Sequence, residues 1–158
     1  DHRDLHSFPT RRSSDLTGTE DRDWLDANSE LKAKIEAIRL AVGEGMNLGD
    51  VKDKSVPKMM LVSPPRNGGG VTVRSFIPPG AHATIGVLGA VSVATACLIP
   101  GSPAAEVAEI PDGLRKTLSV EHPTGEMSCV LELDEAGAVK SAALLRTARK
   151  LMDGIVFG

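Results

Sequence analysis

The residues best placed to do chemistry sit in one run, Arg74-Ser-Phe-Ile-Pro-Pro-Gly-Ala-His-Ala-Thr-Ile-Gly-Val-Leu-Gly-Ala90. A strand delivers the chain into a turn, and an apolar helix is predicted to start close behind His82. The first amides of a helix have no internal acceptor, and its dipole is positive there. Such an end is ready to receive a carboxylate or a phosphate. Thr84 adds a hydroxyl donor and His82 a donor at the rim. Arg74 could pair a second carboxylate through two parallel N–H groups. Plainer roles fit the same residues: His82 as a cap, Thr84 bonded to a local carbonyl, Arg74 as a solvated strand residue.

Other polar groups speak less specifically. Arg66-Asn-Gly-Gly-Gly70 is glycine-rich but lacks the Lys-Ser/Thr pair of a phosphate loop, and a strand rather than a helix follows it. It reads as a hairpin turn. His122-Pro-Thr-Gly125 is a turn with a polar rim. Glu121 and Glu126 flank it and are expected to face solvent. Arg146, Arg149 and Lys150 read as the solvated end of a strand. Cys97 and Cys129 show no metal-ligand spacing and read as buried, inert thiols.

The elements that must position these groups follow from periodicity. Leu31, Ile35, Ile38 and Val42 recur at helical spacing, so a helix is predicted over 20–46, capped by Thr19 and broken near Asn28. Residues 58–63 form an apolar run bounded by prolines, a buried strand by length. Val71, Val73 and Ser75 alternate with Thr72, Arg74 and Phe76, giving a second strand. Residues 83–98 are apolar on nearly every face and predict a helix enclosed by the protein. A surface excursion over 100–113 has one helical turn at 104–108. Strands follow at 114–122, 127–133, 139–147 and 155–157. One apolar helix among strands linked mostly by hairpins is an α+β pattern, a sheet wrapped around a helix.

Composition sets the outer bounds. The chain has 158 residues, 25% charged and 41% hydrophobic, with a net charge of −3. Aromatic residues are 3%, so the core must be aliphatic. No basic stripe interleaved with aromatics exists, which argues against nucleic acid as a partner. The longest apolar run, 85–99, is shorter than the ~20 residues of a membrane span. Two cysteines and no signal-peptide pattern point to a cytoplasmic protein. Residues 1–16 have no period of either kind and match, residue for residue, one translated frame of a common sequencing-library adapter. They are set aside, leaving 17–158 as the native domain.

Taken together, Pro57-Lys-Met-Met-Leu-Val-Ser63, Val73-Arg-Ser-Phe-Ile-Pro78, His82-Ala-Thr-Ile-Gly-Val-Leu-Gly-Ala90, His122-Pro-Thr-Gly125 and Leu145-Arg-Thr-Ala-Arg-Lys150 resemble the PrpF family, most closely its 4-oxalomesaconate tautomerases. The resemblance covers nearly all of 17–158. It implies half of a diaminopimelate epimerase-like fold, in which two pseudo-symmetric halves, each a strand-rich barrel around a central helix, enclose the site in the cleft between them. Residues 17–158 would be the C-terminal domain, with the N-terminal domain missing.

The activity so implied is the shift of a proton and a double bond on a small unsaturated polycarboxylate, without metal or organic cofactor, in the breakdown of gallate and related aromatic acids. The family's proposed base lies in the other half, so no catalytic residue is carried over and the fragment alone is expected to be inactive. Aligning the Gly-Ala pair of the epimerase motif on Gly89-Ala90 puts Gly86 where those enzymes carry a cysteine, which removes two-base epimerisation from this half. The resemblance assigns substrate binding to His82, Thr84, Gly86 and Val87, then to Arg74, Thr124 and Gly125. The partners implied are a polycarboxylate and the missing domain, with a homodimer left open. An aconitate isomerase of the same family and a non-catalytic carboxylate-binding module stand as alternatives.

Overall fold

The computed structural model describes residues 16–78 and 80–155. Its elements run α1 (Arg22–Ala27), α2 (Ser29–Gly45), β1 (Met59–Ser63), β2 (Val71–Ile77), β3 (Gly80–His82), α3 (Val87–Ala96), α4 (Pro103–Val107), β4 (Arg115–His122), β5 (Gly125–Leu133) and β6 (Val139–Leu144). The class is α+β. The six strands form one sheet in the order β1-β2-β4-β5-β6, with β3 also paired to β2. Among the described residues every ladder is antiparallel except β2–β4, where Thr72 lies opposite Glu121. The connection through α3 and α4 is the crossover that parallel pairing requires.

β2 explains the two-sided core. Successive side chains of a strand point to opposite faces. Val71 and Val73 enter one cluster with Ile85, Ala90, Val93, Ala94, Leu118, Val120, Cys129 and Leu131. Phe76 enters a second with Leu25, Leu31, Ile35 and Ala81. β2 is therefore buried on both faces from Val71 to Phe76. Burying each such aliphatic side chain is worth about 1.5–3 kcal/mol, so the sheet is held from both sides. Leu16, the last adapter-like residue, packs on the second cluster; the rest of that stretch lies outside the described residues.

The predicted break at Asn28 is present, and its side chain accepts from the Leu31 amide at 2.9 Å, capping α2. The cap of α1 is Asp21 rather than Thr19. The Thr19 carbonyl instead accepts from Arg74. The inward face of α2 is Leu31, Ile35, Arg39 and Gly43, whereas Ile38 is 52% exposed. The rotation follows from Arg39, whose buried guanidinium bonds the carbonyls of Val51, Lys54 and Val56 at 2.9, 3.0 and 2.6 Å and the Glu36 carboxylate. A β-carbon on Gly43 would lie 2.5 Å from Val51, so that row can sit close to the 51–56 segment.

The predicted helix over 83–98 is shorter, Val87–Ala96. It is also not enclosed on every side. Gly89, Ala90, Val93 and Ala94 are buried and α3 packs on β4, β5 and β6, with Met60 of β1 beside Gly89, while Leu88 is 78% exposed. Ser102 caps α4 at the predicted helical turn. β6 ends at Leu144, three residues before the predicted end, though the Leu145 amide still reaches the Ser128 carbonyl at 3.0 Å. Ile155 is not in a strand, and the remainder of the predicted last strand lies outside the described residues. Among the described residues no helix is long and apolar enough to cross a membrane.

Candidate carboxylate-binding site

α3 begins where the sequence alone does not put it. Residues 83–86 are extended or bent, and Gly86 takes the N-cap position with φ −76° and ψ 160°. The first helical bond runs from the Ala90 amide to the Gly86 carbonyl at 2.9 Å. Had the helix started one turn earlier, the Ala83 carbonyl would accept from the Val87 amide. That carbonyl is instead taken by the Thr124 hydroxyl at 3.0 Å. No side chain caps α3, so the amides of Val87, Leu88 and Gly89 precede the first bond of the helix with no intrahelical acceptor.

The predicted residues divide. His82 closes β3, and His82, Thr84, Gly86 and Val87 are all exposed along one short path to the helix start. Thr124 and Gly125 come to the same place, because the β4–β5 hairpin pairs His122 with Gly125 and carries Thr124 onto Ala83. The Thr124 oxygen also lies 3.3 Å from His122 Nδ1. Burial lowers the His122 pKa and Arg74 adds to this, against the Ala83 carbonyl and Glu126; the ring is neutral near pH 7.

Arg74 does not join them. It is 8% exposed, and its Nε, NH1 and NH2 groups donate to the carbonyls of Glu20, Val73 and Thr19 at 2.7, 2.9 and 2.8 Å. Three of its five N–H groups are thus bonded to backbone. Its even-numbered place on β2 turns it away from the α3 face. Arg74 ties the segment before α1 to the sheet and also lines the polar cavity that touches Glu121 and His122.

Two residues were missed. Glu121, expected to face solvent, is 3% exposed. Its carboxylate accepts from the amides of Arg66, Asn67 and Gly69 at 2.8, 2.7 and 2.8 Å and from the Thr72 hydroxyl at 2.5 Å. Burial pushes its pKa up, but these four donors outweigh that and hold it at about 2. The Arg66–Gly70 turn is thus an anion cradle filled from within the chain. Beside it lies a polar cavity of 350 Å³ that also touches Arg74 and His122. The parallel register that sets Thr72 beside Glu121 leaves no local trace in the sequence. The second residue is Lys58, whose ammonium nitrogen lies 4.0 Å from where a β-carbon on Gly86 would be. A cation there adds to the positive potential of the α3 end. A single lysine entering a strand carries no signal of its own.

A larger cavity, 580 Å³, opens between α2 and residues 52–55. It contains none of the predicted site residues and its walls are mainly aliphatic stems and Phe76, so the chemistry is better sought at α3. Both cysteines are buried. Burial pushes the Cys97 thiol up to about 11, which leaves it protonated and unreactive.

The chain is 84% identical over 142 residues to the (4E)-oxalomesaconate Delta-isomerase of Novosphingobium sp. (strain KA1), covering 90% of this chain and 40% of that protein. It is 56% identical over 141 residues to the 4-oxalomesaconate tautomerase of Pseudomonas putida, covering 89% and 39%. The chain thus spans about 40% of the length of these curated relatives. A crystal structure of methylitaconate-delta-isomerase superposes with a TM-score of 0.73 at 26% identity, covering 89% of this chain and 41% of that one. The family described as PrpF protein matches residues 11–158, and the chain belongs to that family.

Proposed function

We propose that this chain is the substrate-carboxylate-binding part of a cofactor-independent isomerase that shifts a proton and a double bond on 4-oxalomesaconate or a close polycarboxylate. The observation that carries the reading is the 84% identity to a protein named as an oxalomesaconate Delta-isomerase; the uncapped start of α3 supports a carboxylate site there. The amides of Val87, Leu88 and Gly89 would receive one carboxylate, with Lys58, His82 and Thr84 at the rim. Donors fixed in the folded backbone can hold the charge of a dienolate-like intermediate without reorganising.

The base would come from the part of the relatives that this chain does not match. Residues 17–158 would then be a C-terminal domain in which the sheet curves around α3 as one barrel of a diaminopimelate epimerase-like pair, working in the cytoplasm. The packing of α3 on three successive strands, β4, β5 and β6, supports that reading. The adapter-like residues 1–16 would play no part.

The test is a chimera in which residues 17–158 replace the matched part of the Novosphingobium relative. The chimera is expected to isomerise oxalomesaconate, and this chain alone to leave it unchanged. Turnover by the chain alone would place the base here. A chimera that folds but binds without converting would favour the non-catalytic module, and one that converts only aconitate would favour the aconitate isomerase.

A further inference from the structure

The feature that decides whether α3 presents free amides is not on α3. Ala83 is the residue whose carbonyl would close the first turn of a longer helix. Two contacts hold the bent segment 83–86 in place outside the helix. Ile85 is 2% exposed and sits in the main core cluster. The Thr124 hydroxyl occupies the Ala83 carbonyl from forty-one residues away. A hydroxyl has one proton to give. With that proton on Ala83, its oxygen is left as an acceptor facing His122 Nδ1 at 3.3 Å.

The turn that presents Thr124 is itself fixed. Glu121, three residues earlier, is locked by four hydrogen bonds, and Gly125, one residue later, has φ +149°, a conformation other residues rarely adopt. The turn that presents Thr124 is thus anchored at Glu121, and Gly125 supplies the backbone conformation it requires.

We propose that Thr124 is a positioning residue rather than a substrate ligand: by tethering Ala83 to the β4–β5 hairpin it holds residues 83–86 off the helix axis, sets the start of α3 at Gly86–Val87 and keeps the Val87 amide available to a substrate carboxylate. This rests on the carboxylate-site reading above. It changes the role of Thr124 from contact to control, and makes His122 its orienting partner.

The experiment is an amide-resolved NMR titration of the whole chain with tricarballylate, a saturated tricarboxylate, on wild type, Thr124→Val and Thr124→Ser. Wild type is expected to show binding shifts at Val87–Gly89. Thr124→Val is expected to shift residues 83–87 towards helical values before any ligand is added. It should then bind about tenfold more weakly, the scale of one hydrogen bond to a charged group. Thr124→Ser, which keeps the hydroxyl, should stay within about twofold of wild type. Wild-type affinity in Thr124→Val, or unchanged 83–87 shifts in that variant, would overturn the proposal. Absence of binding by wild type would instead overturn the carboxylate-site reading, and the ligand-free shifts of Thr124→Val would still decide whether the hydroxyl sets the helix start. A Thr124→Val chain that failed to fold while Thr124→Ser matched wild type would make the hydroxyl a general structural bond and count against the positioning role.

Discussion

Two places in this chain gather backbone N–H groups around a point where an anion could sit. At the Arg66–Gly70 turn, three amides and the Thr72 hydroxyl close on the Glu121 carboxylate. At the start of α3, the amides of Val87, Leu88 and Gly89 have no intrahelical acceptor, and among the described residues no side chain caps them. The donors are of one kind, and only the source of the anion differs. An anion built into the chain stabilises the fold and cannot be exchanged. Donors with no internal partner contribute little to stability and remain available to a ligand. The glycine-rich turn looked more like a phosphate loop in the sequence, yet it is the structural member of the pair.

The comparison breaks first at Glu121. Glu121→Gln puts an NH2 group against N–H donors, and the loss should be about 3 kcal/mol, the scale set by a pKa lowered from 4.5 to about 2. The sign follows from the depressed folded-state pKa. The contribution is present in full above pH 4.5 and is lost as the pH falls from there towards 2. Urea unfolding at pH 7 should therefore separate wild type from Glu121→Gln, and the gap should shrink below about pH 4. Equal stability of the two at pH 7 would mean that the cradle is not closed around this carboxylate.

A smaller effect is expected from the wall of the same cradle. A β-carbon on Gly69 would lie 2.7 Å from Glu121 Cγ and 2.8 Å from its Oε1, so Gly69→Ala must displace the carboxylate. The cost should be about 1–2 kcal/mol by thermal unfolding. In a Glu121→Gln background the second change should cost less, because the bonds it disturbs are already weakened. Full additivity of the two would count against their sharing one site.

Much of this was legible in the sequence where the cause is local. Asn28 interrupts the first helical run because its short side chain can cap the next helix. The turns at His122–Gly125 and Asp134–Gly137 follow from Pro, Gly and Asp at fixed offsets. The failures share a non-local cause. Residues 83–86 continue the apolar run into the helix, yet they are bent, and the Ala83 carbonyl is bonded by a hydroxyl some forty positions later. Arg74 has the look of a ligand, and carbonyls near residue 20 take its N–H groups. Glu121 flanks a turn as solvent-facing glutamates do, and a parallel pairing with β2 buries it. Periodicity reports which face is apolar; it does not report which distant polar group will claim a carbonyl or an amide.

The sharpest use of the comparison is to convert one site into the other. Gly86 stands at the N-cap of α3 with ordinary extended dihedrals, and the nearest atom a β-carbon there would meet is the Lys58 ammonium at 4.0 Å. Gly86→Asp can therefore be built without strain, and its carboxylate can reach back to the amide of Leu88 or Gly89 as capping aspartates do. Replacing a glycine cap by aspartate, at a helix end with a lysine beside it, should raise stability by a few tenths to about 1 kcal/mol. This is the smallest energetic change of the series. Its functional effect should be the largest, because the internal carboxylate would hold the donors that tricarballylate needs. A variant with a slightly higher melting temperature and no tricarballylate shifts at Val87–Gly89 is the expected result. If Gly86→Asp bound the tricarboxylate as well as wild type did, the α3 amides would not be its receptor, and the contrast between a filled and an available cradle would lose its functional meaning.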